Sequence, residues 1–159
     1  MGSQKSLEAA QSVFGSGWDQ AWKDFTRTNW NQDPVTNHQS WDAITSTPAI
    51  AAEGTLPANQ LTPVLTTVGP VAAKYLRFAP APDVGTLTYR NIGGLDPKAG
   101  VQAIISYKDG SRAVEDWSQL ATKDVPFCNI DELALVVSNA SVAQGDSKLF
   151  NLSFSPPSP

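Results

Sequence analysis

His38 is the only histidine and Cys128 the only cysteine in the chain, and these two counts bound its chemistry before any fold is considered. A zinc helix of the HExxH type needs two histidines, and a CxxC metal or redox motif needs two cysteines. A serine triad would have to recruit His38, yet no GxSxG elbow is present. Phosphate cradles of the GxGxxG or GxxxxGK[ST] type are missing as well. Carboxylates remain, because glycoside hydrolysis needs only two of them. Glu115 and Asp116 are adjacent on an alternating stretch, so their side chains diverge to opposite faces and cannot act as that pair. Asp131 and Glu132 stand at the entrance to an apolar run, where solvated acids are ordinary. A small hydrolase built on such loop carboxylates is therefore only a third reading. The loop aspartates Asp83, Asp96, Asp109, Asp124, Asp131 and Asp146 offer hard oxygen ligands. No DxDxDG spacing links them, so a structural calcium has no pattern behind it. Turn formation explains them, and no cofactor or metal is expected.

Tryptophan is the other chemical resource: Trp18, Trp22, Trp30, Trp41 and Trp117. An exposed indole has a large flat apolar face and one polar handle, the geometry that stacks on a sugar ring. Trp30, Trp41 and Trp117 are accordingly the candidate ligand-binding residues of a carbohydrate-binding module. Competing with this is burial. Trp18, Ala21, Trp22 and Phe25 recur at i, i+3, i+4 and i+7, one stripe of a helix, while Asp19, Gln20, Lys23, Asp24 and Arg27 turn away. The stripe is expected to lie on a sheet. Trp117 alternates with Ala113 and Glu115 and is expected inside, near the helix of Trp18 and Trp22. Cys128, at the mouth of an apolar run, is expected to be a small buried hydrophobe.

The elements that must position these residues are legible from period and punctuation. Leu7, Ala10 and Phe14 mark a first helix, broken by Gly15-Ser16-Gly17, and Trp18 to about Thr28 forms a second. Asp33-Pro34 stops it, since proline excludes the helical region for the residue before it. A short helix from His38 to about Thr45 follows, turning Trp41 inward. Beyond a proline-punctuated connection the pattern is β, with one short strand around Val64 to Val68. Strands are read at Ala72 to Phe78 and Val84 to Ile92. Val101 to Trp117 forms a hairpin whose turn closes at Gly110. Leu133 to Ser138 is apolar on both faces, the mark of a central strand, and Lys148 to Phe154 closes the sheet. The fold class is α+β, mainly β: N-terminal helices packed on an antiparallel β-sandwich, Ig-like or jelly-roll-like. The expected organisation is an added or disordered start over 1–6, a helical subdomain over 7–55, the sandwich over 56–154 and a Pro/Ser linker over 155–159.

Composition narrows the class of partner. Charged residues are 16% of the chain and the net charge is −4, with no basic cluster, so nucleic acid and anionic membrane surfaces lack their electrostatic footprint. No stretch approaches the ~20 apolar residues of a membrane span. The opening residues contain no apolar core for a signal peptide, so a secretion signal would lie outside this sequence. Low charge with abundant Thr, Ser, Asn and Gln leans towards an extracellular or cell-surface protein.

Two stretches together resemble a known class. One is Trp30-Asn31-Gln32-Asp33-Pro34 with Trp41-Asp42. The other runs from Lys108-Asp109-Gly110 and Glu115-Asp116-Trp117 through Val125-Pro126-Phe127-Cys128 to the Leu133–Ser141 stretch. The chain over about 18–154 resembles the C-terminal, non-catalytic regions of large secreted bacterial proteins, some with an upstream metallopeptidase domain. The zinc-binding helix of such proteins has no counterpart here, and no functional residue carries over. The resemblance implies a non-catalytic accessory or interaction module of a secreted or surface protein. Its partners would be neighbouring domains of a larger parent, or a glycan or protein surface. Carbohydrate binding through exposed tryptophans is the alternative.

Overall fold

A computed structural model describes residues 2–28, 49–56, 64–93 and 95–157. Trp30, Trp41, His38 and the helix expected from His38 to Thr45 lie outside the described residues. Two helices open the chain, α1 (Gly2–Phe14) and α2 (Trp18–Thr28). A single 3-10 turn, Gly15–Gly17, separates them, entered through Gly15 at φ 56. Among the described residues nine strands follow: β1 (Ile50–Leu56), β2 (Val64–Val68), β3 (Ala72–Pro80), β4 (Thr86–Asn91), β5 (Ala99–Tyr107), β6 (Arg112–Asp116), β7 (Thr122–Pro126), β8 (Ile130–Asn139) and β9 (Lys148–Ser155). They form a five-stranded sheet, β1-β3-β8-β5-β6, and a four-stranded sheet, β2-β9-β4-β7. Every pairing is antiparallel except β1 with β3, which is parallel. The molecule is thus mainly β, a sandwich-like α+β fold. No helix among the described residues is long and apolar enough to cross a membrane.

The β5–β6 hairpin forms where the alternation placed it. Gly110 takes φ 86 and its N–H donates to Tyr107 O at 3.0 Å, while Asp109 Oδ1 accepts from Ser111 N at 2.8 Å. The doubly apolar β8 sits at the centre of its sheet, between β3 and β5. Its odd residues Leu133, Leu135 and Val137 enter the core between the sheets, and Ala134 and Val136 join a second cluster with Tyr75 and Ile104. A strand with side chains alternating to two faces must be apolar throughout when both are covered. The second cluster lies on the outer face of the five-stranded sheet, and α2 covers it: Tyr75 Oη donates to Thr26 O at 2.8 Å.

Aromatic rings fill the inter-sheet core. Trp117 is 0% exposed and its ring lies 4.9 Å from that of Tyr89, which in turn sits 5.6 Å from Phe154. Trp117 therefore packs inward as expected, with a different neighbour. Its companions come from the four-stranded sheet, and α2 is on the opposite side of the five-stranded one. Two strands escape sequence reading, β1 and β7, and β1 extends the sheet into the stretch assigned to the helical part. Cys128 is exposed rather than buried, because the 3-10 turn Phe127–Asn129 gives its inward position to Phe127.

The Tyr89 hydroxyl is shut away from water with no hydrogen-bond partner among the described residues, and burial pushes its pKa upward. An unpaired buried hydroxyl costs about 1–3 kcal/mol. Tyr89→Phe keeps the ring and removes that cost, so its urea midpoint should equal or exceed that of the parent by about 1 kcal/mol in stability. A loss larger than that would reveal an acceptor for the hydroxyl.

Candidate functional site

The helix α2 docks on the sheet through its polar side. Lys23 is buried, and its stem lies over Gly100, where an added Cβ would stand 2.7 Å from Lys23 Cγ. The close approach of helix to strand depends on that missing side chain. Asp19 pairs with Lys98 Nζ at 3.0 Å, Gln102 Nε2 donates to Asp24 Oδ1 at 3.3 Å, and the indole of Trp18 donates to Ala140 O at 2.7 Å. Long amphipathic stems can cover apolar surface while their heads find partners, which is how a lysine comes to face the sheet. The helical period was right and the direction of the stripe was not. Trp18 alone among the stripe residues is buried; Trp22 is half-buried and Phe25 is exposed.

What this leaves outside are the two ends of a ladder of four aromatic rings crossing from α1 to α2, with Trp18 buried at its base and Trp22 half-buried. Successive ring centroids are 6.1 Å apart for Phe14–Trp18, 5.9 Å for Trp18–Trp22 and 5.4 Å for Trp22–Phe25, with the two indoles stacked. Phe14 is 55% and Phe25 53% exposed. The rings and Ala21 line a shallow groove of about 200 Å³. Each ring contact is worth about 0.5–1.5 kcal/mol beyond its burial, so the ladder is rigid as well as apolar. The flanking charges lie elsewhere: Asp24 is engaged with Gln20, Arg27 and Gln102, and Asp19 with Lys98.

Of the sequence-predicted ligand-binding residues, Trp117 lies among the described residues. Trp117 has no exposed face on which a sugar could stack, and Trp30 and Trp41 lie outside the described residues. Glu115 accepts from Trp117 Nε1 at 2.7 Å and pairs with Lys123 at 3.3 Å, while Asp116 Oδ1 accepts from Ser118 N. Glu132 lies 3.9 Å from Arg77, and Asp131 lines a groove of about 650 Å³ with Asp83, Lys108 and Cys128. Among the described residues, no group of three or more His, Cys, Asp or Glu is placed to hold a metal. Asp109 caps its own turn and Asp124 accepts from Thr88 Oγ1 at 2.6 Å.

Asp96 and Asp146 do meet, around a lysine: Lys148 Nζ lies 2.8 Å from Asp96 and 3.0 Å from Asp146. The Lys148 ammonium, with the Lys98 backbone N–H, holds the Asp96 carboxyl below its ordinary value of 3.8. Asp146 is lowered by the Ser141 hydroxyl and then by Lys148, and Lys148 is raised above 10.5 by both acids. Lowered acids stabilise the fold above their unfolded value, and that contribution is lost as pH falls through the depressed folded values, below 3.8. The raised lysine contributes below 10.5, and its contribution is lost only as pH rises through a folded value above that. These groups are largely solvated, so each effect is small. Lys148→Gln should weaken the acid-side decline in urea midpoint. An unchanged profile in the variant would separate the acid sensitivity from this cluster.

No family model matches the chain, and no curated protein matches its sequence. Among solved structures, similarity is found to PliG of Aeromonas hydrophila, a periplasmic inhibitor of g-type lysozyme. The identity is 11%, the TM-score 0.38, and the match covers 67% of this chain and 98% of that one. Similarity is also found to the pre-peptidase C-terminal domain of the Bacillus anthracis collagenase, at 10% identity and TM-score 0.35, covering 69% and 100%. A third likeness is to the insecticidal delta-endotoxin Cry8Ea1 of Bacillus thuringiensis, at 12% identity and TM-score 0.23, covering 60% of this chain and 20% of that one.

Proposed function

We propose that the protein is a non-catalytic interaction module of a secreted or cell-surface protein, with the aromatic ladder of α1 and α2 as its contact surface. The observation that carries this reading is the ladder itself: Phe14 at the end of α1 and Phe25 on α2, the helix whose polar side faces the sheet, are each more than half exposed. Water-facing aromatic surface of this kind is costly to maintain and marks interaction sites. Aromatic residues are also enriched among the anchors of protein interfaces. The engaged acids support a non-catalytic role, since each carboxylate weighed for catalysis or calcium that carries a partner here serves a turn, an ion pair or an edge strand.

The reading is tested with anilinonaphthalene sulfonate as a probe of accessible apolar surface. Native protein at micromolar concentration should bind the dye, and a Phe14→Glu/Phe25→Glu variant with unchanged circular dichroism should lose most of that binding. Equal dye binding by parent and variant would remove the ladder as an open surface.

A second reading, carbohydrate binding, draws on the stacked Trp18–Trp22 pair with Phe25 beside it. Trp30 and Trp41 would be its further candidates. Retardation in affinity gels containing insoluble polysaccharides is its test, and migration unaltered by any of them removes it.

A further inference from the structure

We draw no further inference here: the strongest candidate, the apolar surface patch that Phe14 and Phe25 present where α1 meets α2, belongs to the site already described, and nothing in the structure shows what covers it.

Discussion

Replacing Trp117 with alanine should lower stability by about 3–5 kcal/mol, the range for deleting a fully buried large aromatic residue. Three losses combine. The ring leaves a cavity against Tyr89, whose centroid is 4.9 Å away and which cannot move without disturbing Phe154. The indole N–H no longer holds Glu115, which keeps Lys123 but loses its 2.7 Å bond. The end of β6 loses its anchor in the core, although Trp117 N still donates to Val101 O. Urea unfolding measures the sum. Trp117→Phe, which retains a ring and lacks the donor, should fall between the parent and Trp117→Ala. A loss under ~1 kcal/mol for alanine would mean the ring is not enclosed between the sheets.

Trp18→Ala should act as strongly and in a different place. Trp18 is buried and ties α2 to the loop after β8 through Ala140 O. Its removal deletes buried aromatic surface, for which about 3 kcal/mol or more is usual, and leaves a buried carbonyl without its donor. The ties that remain to α2 include the Asp19–Lys98 pair, the Gln102–Asp24 bond, the Tyr75–Thr26 bond and the buried Lys23 stem over Gly100. Ion pairs of this exposure contribute little, so the helices should open as a local unit while the sandwich persists. Hydrogen exchange would show amides of α1 and α2 losing protection and those of β8 keeping it. Retained protection in the helices would place their anchorage elsewhere.

These two tryptophans also show how far the sequence could be read. Strict alternation fixes a direction, so Trp117 was legible as an inward residue. Its neighbour was not, because the period of a strand says which face is covered and nothing about what covers it. The β5–β6 hairpin and the central β8 were legible because each carries a local signal: Gly110 at a position requiring positive φ, and an apolar run on both faces. β1 and β7 carry none. Ile50–Leu56 mixes Ala, Glu and Gly without a period and is held by parallel pairing with β3, the next strand but one, while β7 is a short edge ending in Pro126.

The helix pattern illustrates the same limit more sharply. Spacing identified Trp18, Trp22 and Phe25 as one stripe, and burial was the natural destination for it. The sheet surface beneath α2 offered a gap at Gly100 that suits a lysine stem, and polar groups at Lys98, Gln102, Tyr75 and Ala140 that suit the other side of the helix. Those groups are up to 122 residues away in sequence, so no local window contains the information that turns the helix over.

Hydroxyl-radical footprinting of the phenylalanines tests the outward ladder most directly. Phe14 and Phe25 should be oxidised readily, while Phe78, Phe127, Phe150 and Phe154, all buried in the sandwich core, should be protected. Protection of Phe14 and Phe25 in dilute solution would contradict an open aromatic surface on these helices.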